Sequence, residues 1–332
     1  MTGEALRPLP LATAGLFVAL YSSAVGAAEP PIRLAIPLNC RVNQDCFVQS
    51  YFDHDPGKGA RDYTCGTETY DGHDGTDFRV PDLSPSRDLA VLSSAAGRVL
   101  RARDGMPDIS VRKTGQAQVE GKECGNGLVI DHGSGWQTQY CHLAEGSVSV
   151  RSGDEVARGQ SIGRVGMSGL SEFPHVHVTV RFQGETVDPF AFGWGAGKCG
   201  SGIVLWDLPS GWSYPTDFVI TRGFADHAVT ADEINAGAFE RFSFTADTPA
   251  LLAAAMAAGL SEGAILEITL VGPSGKTLAT KSVGPLAKPE AQHFIGVGLK
   301  RPRSGWPAGV YRATFRIRKG SSVTEKQFEV RF

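Results

Sequence analysis

The 332-residue chain lacks several features that would each indicate a class of protein. No C-x-x-C pair occurs among its six cysteines, which argues against a cysteine-ligated zinc site. Its 32 basic and 35 acidic residues nearly cancel, so no overall charge attracts nucleic acid. After the first 28 residues, no apolar stretch reaches the length of a membrane span and no long amphipathic helical pattern occurs. These absences disfavour a nucleic-acid-binding protein, a helical bundle and an internal membrane span.

The first 28 residues are predicted to be a secretory signal peptide. Arg7 gives a weakly basic start, residues 11–21 are an apolar run, and residues 24–28 offer small side chains for cleavage. The run is shorter than the ~20 apolar residues of a membrane span, and a retained N-terminal anchor is the alternative. We therefore expect an exported protein, periplasmic or associated with the cell envelope, with no stable membrane span.

Export would place the six cysteines in an oxidising compartment, where disulfides form and persist. Two cysteines are close enough in sequence to close a local loop, and two others flank a predicted hairpin. The predicted pairs are Cys40–Cys46, Cys124–Cys141 and, by elimination, Cys65–Cys199. This scheme is one of about 15 that six cysteines allow, so it is a hypothesis.

The abundant turn residues, 41 glycines and 19 prolines, predict an all-β protein of short antiparallel strands. One predicted hairpin joins residues 128–132 to residues 136–142 through the turn Gly-Ser-Gly. The predicted segments are the signal peptide at 1–28, a disulfide-stapled extension at 29–70, a strand-rich domain at 71–192, a linker at 193–216 and a second domain at 217–332.

The second domain is predicted to be an immunoglobulin-like β-sandwich. Apolar residues alternate with polar ones in residues 266–270 and 311–317, as expected for strands with one buried face. One short helix is expected at residues 249–258, with Thr248 as its N-cap and Gly259 at its end. The basic residues near the C-terminus could bind anionic wall polymers or membrane headgroups, or could simply form a solvated strand face. We expect this domain to bind the wall or a protein, or to position the enzyme.

Four of the eight histidines fall in three short motifs, together with two aspartates. The motifs are GHDGTDF at residues 72–78, YCHL at residues 140–143 and PHVHV at residues 174–178. On a strand, His175 and His177 project from the same face. His73 and Asp77 are four residues apart, which places both on one side of a strand or tight bend. Imidazole and carboxylate groups suit zinc, whose catalytic sites use three protein ligands.

These motifs, with the segments GLVIDHG at 127–133 and GDEVARGQSIG at 153–163, resemble the lysostaphin and LytM-type zinc endopeptidases. This is the twenty-third metallopeptidase family, which cuts peptide crosslinks in bacterial cell walls. The resemblance covers about 120 residues and identifies residues 71–192 as a LytM-type zinc endopeptidase domain. It implies an antiparallel β fold with one Zn²⁺ per chain, and the implied zinc ligands are His73, Asp77 and His177.

The resemblance also implies that His142 and His175 serve the reaction beside the metal, and the sequence does not divide the roles of base and oxyanion donor between them. The expected activity is hydrolysis of peptide bonds in peptidoglycan stem peptides or crosslinks by a metal-activated water, with peptidoglycan as partner and no nucleic acid. Two alternatives are a non-catalytic wall regulator that activates other hydrolases and an exported protease of Gly-rich proteins.

Overall fold

The computed structural model describes residues 1–3, 31–85, 88–194 and 199–332. The chain divides into two compact units, Met1–Pro31 and Ile32–Phe332. Most of the predicted signal peptide lies outside the described residues, so it remains a prediction. Among the residues that are described, no helix is long and apolar enough to cross a membrane.

The first half of the second unit is built on one large antiparallel sheet. Its strands run in the order β1-β2-β9-β6-β5-β4-β7, with β10 paired to β9, and β3 pairs with β8 in a separate small sheet. The strands are β1 (Phe47–Ser50), β2 (Thr76–Arg79), β3 (Ala90–Leu92), β4 (Gly97–Arg103), β5 (Asn126–Gly133), β6 (Trp136–Leu143), β7 (Glu155–Val156), β8 (Ser161–Arg164), β9 (His175–Phe182) and β10 (Glu185–Val187). Helix α1 (Val111–Thr114) and a 3₁₀ turn (Gln116–Gln118) lie between β4 and β5.

The predicted hairpin is present as β5 and β6, which turn at Ser134 and Gly135. Both turn residues have positive φ, which is the backbone conformation that a two-residue hairpin turn of this kind requires. Alternation along these strands buries Leu128, Ile130 and Tyr140 in the core of the sheet.

Segments on either side of the predicted catalytic domain also belong to this core. Strand β1 lies in the predicted extension and pairs with β2, while Leu205 and Trp206 of the predicted linker are buried against the sheet. Leu34 is buried with them, and its backbone pairs with Leu205. The predicted domain boundaries therefore stay a prediction, because the chain packs continuously across them.

The C-terminal half is a β-sandwich, as predicted, made of a three-stranded sheet β11-β12-β15 and a four-stranded sheet β14-β13-β16-β17. The strands are β11 (Phe218–Ala225), β12 (Ala250–Leu260), β13 (Ile265–Val271), β14 (Thr277–Val283), β15 (Glu290–Lys300), β16 (Val310–Lys319) and β17 (Ser322–Arg331). Helix α2 (Ala231–Asn235) and a 3₁₀ turn (Ala238–Glu240) follow β11. Leu266, Ile268, Phe315 and Ile317 fill the space between the sheets.

The prediction of a helix at residues 249–258 is wrong, because nearly all of this segment lies in strand β12. Alanine favours a helix in isolation, but here the alanines occupy a central strand that is buried on both faces. Ala253, Ala255 and Ala257 face the sandwich interior, whereas Ala254 and Ala258 pack in a second cluster on the other face. Tertiary burial between β11 and β15 therefore overrides the local preference.

The disulfide hypothesis is confirmed for all three pairs. The structure joins Cys40 to Cys46, Cys65 to Cys199 and Cys124 to Cys141. The Cys65–Cys199 link spans 134 residues and ties the N-terminal extension to the segment that follows the large sheet. In a chain-entropy account, closing so long a loop restricts the unfolded state more than the two short links do.

Candidate metal centre

Two neighbouring strands bring the motif residues together. Strands β2 and β9 are antiparallel neighbours, and their register sets Asp77 directly opposite His177. Side chains of directly opposed residues share a face of the sheet, so both lie over the same surface. His175 is two residues earlier on β9 and therefore lies on that face as well.

His73 reaches the same point from the loop that precedes β2. His73 is 2% exposed, and its Nδ1 lies 2.6 Å from the carbonyl oxygen of Tyr51. Because a carbonyl can only accept, Nδ1 carries the proton and Nε2 is left with a free lone pair. That lone pair faces Asp77, with Nε2 3.1 Å from the carboxylate Oδ1.

Three potential ligand atoms converge here. His73 Nε2 lies 3.1 Å from His177 Nδ1, and Asp77 Oδ1 lies 3.1 Å from the former and 2.9 Å from the latter. These three residues form a buried group that could hold a metal ion. Bond lengths of ~2.0–2.2 Å around a tetrahedral ion would separate its ligand atoms by about 3.3–3.6 Å, which is only slightly wider than the spacing found.

The outer hydrogen bonds test whether the group fits a cation. His177 Nε2 lies 3.1 Å from Asp74 Oδ1 and 3.1 Å from Thr179 Oγ1, so the carboxylate accepts the Nε2 proton. Once Nδ1 has lost its proton, its lone pair faces the lone pair of His73 Nε2 and the carboxylate of Asp77. Three acceptors about 3 Å apart need a shared positive charge between them, and the residues present therefore fit a metal ion.

The electrostatics of the buried groups lead to the same conclusion. Burial lowers the pKa of His177, but hydrogen bonds to Asp74 and Asp77 outweigh it and raise the pKa to about 9. Without a metal the ring therefore holds a second proton on Nδ1 against Asp77, and a bound ion would take the place of that proton. Burial would raise the pKa of Asp77, but the facing histidines hold that pKa well below its usual range. The surroundings thus favour an ionised carboxylate and a positive charge beside it.

His142 and His175 lie next to this group. Their rings are 4.7 Å apart between centroids, and His175 Nε2 is 3.5 Å from Asp77 Oδ1. His142 Nδ1 donates to the carbonyl of Ser168 at 2.7 Å, and His175 Nδ1 donates to the carbonyl of Phe173 at 2.8 Å. Burial lowers the pKa of both rings, most strongly that of His142, so both are neutral with an unprotonated Nε2.

Strand alternation alone does not place His142. Strand β6 sets Cys141 opposite His177, so a regular strand would turn the next side chain to the far face. His142 instead has a left-handed backbone with φ +64°, and its ring lies 6.1 Å from that of His177. A non-glycine residue in this region is strained and occurs preferentially at functional sites.

Sequence reasoning missed two residues that shape the centre. Asp74 holds the outer nitrogen of His177, and its position inside the first motif was the available signal. Gly75 packs against the ring of His177, where an added Cβ would lie 2.6 Å from Nε2 and 2.6 Å from the carbonyl oxygen of Val178. Any side chain at Gly75 would therefore displace either His177 or strand β9.

Two of the four histidines outside the centre have structural surroundings. His132 places Nδ1 2.8 Å from the carbonyl of Ala96 and Nε2 2.8 Å from Thr138 Oγ1. His54 is paired with the buried Asp188 at 2.7 Å. Tyr63 packs against Phe190, whereas Tyr70 lines the cavity beside the centre.

Comparison with known proteins places this centre in a family. The model of Peptidase family M23 matches residues 71–189. Peptidoglycan DD-endopeptidase ShyB of Vibrio cholerae is 36% identical over 116 residues, which are 35% of this chain and 22% of that protein. Cell division protein DipM of Caulobacter vibrioides is 29% identical over 123 residues, 35% of this chain and 17% of that protein. This chain thus spans about a fifth of the length of these curated relatives.

A zinc-containing peptidase from Vibrio cholerae, known from a crystal structure, is 27% identical to this chain. The alignment covers 43% of this chain and 39% of that one, with a TM-score of 0.28. The family match contains every residue of the centre, from His73 to His177. Residues 71–189 of this chain are a domain of peptidase family M23.

Proposed function

We propose that this chain is an exported, zinc-dependent endopeptidase that hydrolyses peptide bonds in peptidoglycan stem peptides or crosslinks. One observation carries the proposal: the ligand atoms of His73, Asp77 and His177 converge inside an M23 domain, beside two neutral histidines. The similarity to a protein named as a peptidoglycan DD-endopeptidase supports the substrate class. Its location in the periplasm or envelope follows from the predicted signal peptide and belongs to the proposal.

Zinc is the metal we propose, with one ion per chain. Two imidazole nitrogens and a carboxylate oxygen are a common zinc donor set, whereas calcium is bound by six to eight oxygens. The residues that would hold the ion are His73, Asp77 and His177. When bound at such a site, the ion polarises a peptide carbonyl as a Lewis acid and makes water a stronger nucleophile.

His142 and His175 would act as the general base and acid and as the oxyanion donor. Each has its Nδ1 fixed as a donor to a backbone carbonyl, so each presents an unprotonated Nε2 towards the centre. One would accept the proton of the attacking water and pass it to the leaving amine. The other, once protonated, would donate to the oxyanion that develops on the carbonyl. Their equivalent anchoring leaves the division of these roles open.

A non-catalytic wall regulator is the second candidate, and the similarity to a cell division protein favours it. The presence of all five polar residues in one buried group argues against it, because a binding module has no need of them. The third candidate, a protease of Gly-rich proteins, shares the same chemistry. Metal analysis, a turbidity assay on purified sacculi and a panel of Gly-rich proteins would separate the three.

Product analysis is the direct test of the proposal. Purified peptidoglycan is digested with the full chain, and the released fragments are identified by mass, with a chelator-treated sample as control. We expect fragments produced by cleavage of peptide bonds and none after chelation. Intact sacculi under both conditions would contradict the proposal, and cleaved Gly-rich proteins with intact sacculi would favour the third candidate.

The C-terminal sandwich is proposed to position the substrate rather than to bind polyanions through its basic strand. Arg316 is paired with Glu325 and Glu267, and Arg312 is paired with Glu329. These ion pairs neutralise much of the basic face, which agrees with a solvated strand surface.

A further inference from the structure

Arg79 is a fully buried cation at the junction of the two halves. It lies on β2 with 0% exposure, and its Cα is opposite that of His175 on β9. Its guanidinium contacts neutral groups, which are Gln49 Oε1 at 2.6 Å, Gln292 Oε1 at 2.7 Å, Asn235 Oδ1 at 3.1 Å and Met256 Sδ at 3.1 Å. The ring of Phe173 stacks on it, with the guanidinium carbon 4.5 Å from the centroid.

This charge has no acidic partner among residues 31–85, 88–194 and 199–332. The charged side chain that acts on it electrostatically is another cation, Arg112. Buried arginines are normally paired with carboxylates, because an isolated buried charge is costly. A cation surrounded by neutral acceptors therefore leaves a positive potential that an anion beside it would offset.

Two glutamines that contact Arg79 also line the cavity beside the metal centre. A guanidinium can only donate, so it fixes the oxygens of Gln49 and Gln292 towards itself. Each amide NH₂ group therefore points away from Arg79. Both glutamines line a cavity of about 690 Å³ that is also lined by Asp77, His142 and His175. The two donors come from different halves of the chain, strand β1 and strand β15.

The other charges around this cavity are largely paired. Arg112 binds Glu172 at 2.5 Å, so these two charges cancel. Lys288 and Glu290 line the same wall, and their opposite charges balance each other. Asp77 belongs to the metal group. The surplus charge on this side of the cavity is therefore the positive charge of Arg79.

We propose that Gln49 and Gln292, oriented by Arg79, form a subsite that binds a free carboxylate of the peptide substrate next to the scissile bond. The proposal rests on the proposed function only in taking a wall peptide as the ligand. Two NH₂ donors backed by a cation suit the two oxygens of a carboxylate, since hydrogen bonds to charged acceptors are the stronger ones. The C-terminal sandwich, through Gln292, would thus help to select the substrate.

The test compares an acid with its matched amide. Binding of N-acetyl-D-alanyl-D-alanine and of its C-terminal carboxamide to the zinc-loaded full chain is measured by NMR titration. We expect the acid to bind about tenfold more tightly, which corresponds to about 1.4 kcal/mol. Equal affinities for the acid and the amide would overturn the proposal without any variant being needed.

Gln292→Glu is the diagnostic variant. The new carboxylate would pair with Arg79, so the fold should be as stable as the wild type while the anion site is filled. We expect the preference for the acid to disappear. Gln327→Glu adds the same charge at an exposed position on β17 and should keep the preference. A folded Gln292→Glu variant that binds the acid like the wild type would refute the proposal.

The outcomes separate this subsite from the catalytic proposal. Hydrolysis of sacculi with no preference for the acid would leave the proposed function standing and reject the subsite. A preference for the acid that Gln292→Glu abolishes, in a protein that cleaves no peptidoglycan, would support the subsite and reject the function.

Discussion

Each histidine of the centre has an outer ring nitrogen, which points away from the metal group, and an inner one, which faces it. The hydrogen bond of the outer nitrogen determines whether the inner nitrogen keeps a lone pair. Three of the rings donate Nδ1–H to backbone carbonyls, which a side-chain substitution cannot remove. His177 differs, because its outer nitrogen is held by the carboxylate of Asp74. Asp74 is therefore the outer partner that mutation can remove cleanly.

Asp74→Ala should weaken metal binding without removing a ligand. Losing the carboxylate frees the ring of His177 to rotate and makes Nδ1 a weaker metal ligand. The metal affinity should therefore fall by about 10–100-fold. Competition with a chromogenic chelator measures this change. Asp71→Ala, at an exposed position in the same loop, is the matched control. Equal affinities for the two variants would show that Asp74 does not hold His177.

The three residues of the metal group could be predicted from the sequence, whereas the contact between Arg79 and Gln292 could not. His73, Asp77 and His177 follow from short motifs because the two-residue period of a strand and a known family pattern place them. Arg79 and Gln292 are 213 residues apart in sequence, and no periodicity links them. Their contact depends on how the sandwich packs against the large sheet, which local patterns do not encode.

Strand β12 shows how small side chains allow one element to serve two cores. Its alanines alternate between the interior of the sandwich and the cluster that faces α2. Because each face is filled, the strand has no free space for larger side chains. This double burial also explains why helix propensity failed as a predictor for this segment.

Ala255→Leu should therefore destabilise the protein. The larger side chain would overpack the sandwich interior at a position that is 0% exposed, at a cost of about 1–3 kcal/mol. Denaturant unfolding of the full chain measures the change. The exposed Ala308→Leu variant provides the control, with an expected change within about 0.5 kcal/mol. An unchanged unfolding free energy for Ala255→Leu would mean that β12 is not buried on both faces.

The hairpin of β5 and β6 was predictable because its turn is local, but the end of β6 was not. Gly133, Ser134 and Gly135 mark the turn in the sequence itself. The left-handed backbone at His142 is held by the disulfide at Cys141 and by a bond from its own N–H to the carbonyl of Cys124. These contacts join separate segments, so strand alternation by itself does not place this side chain beside the centre.

The two halves of the chain share buried polar groups as well as apolar surface. Phe47 stacks on Phe218 at 4.9 Å between centroids, and Glu68 lies close to Gly259 at the same junction. Burial, with the nearby charges of Asp62 and Asp217, raises the pKa of Glu68 to about 8. The stability of the protein should therefore depend on pH through this junction.

Stability should fall as the pH rises from about 4.5, the ordinary pKa of the carboxyl, to about 8. In this range the folded chain holds the Glu68 proton more tightly than the unfolded chain does, so raising the pH favours unfolding. Glu68→Gln should flatten this dependence and add about 1–3 kcal/mol at pH 8. Thermal unfolding across this range measures it, with the exposed Glu262→Gln as control. Parallel pH profiles for both variants would contradict the account.

The central claim is that a single ion held by His73, Asp77 and His177 works with a separate pair of histidines. Metal content and sacculus hydrolysis, measured together on the wild type, His177→Ala and His142→Ala, test it most directly. We predict one zinc per chain and active wild type, loss of both metal and activity in His177→Ala, and retained zinc without turnover in His142→Ala. Full activity in His142→Ala, or undiminished zinc in His177→Ala, would contradict the account.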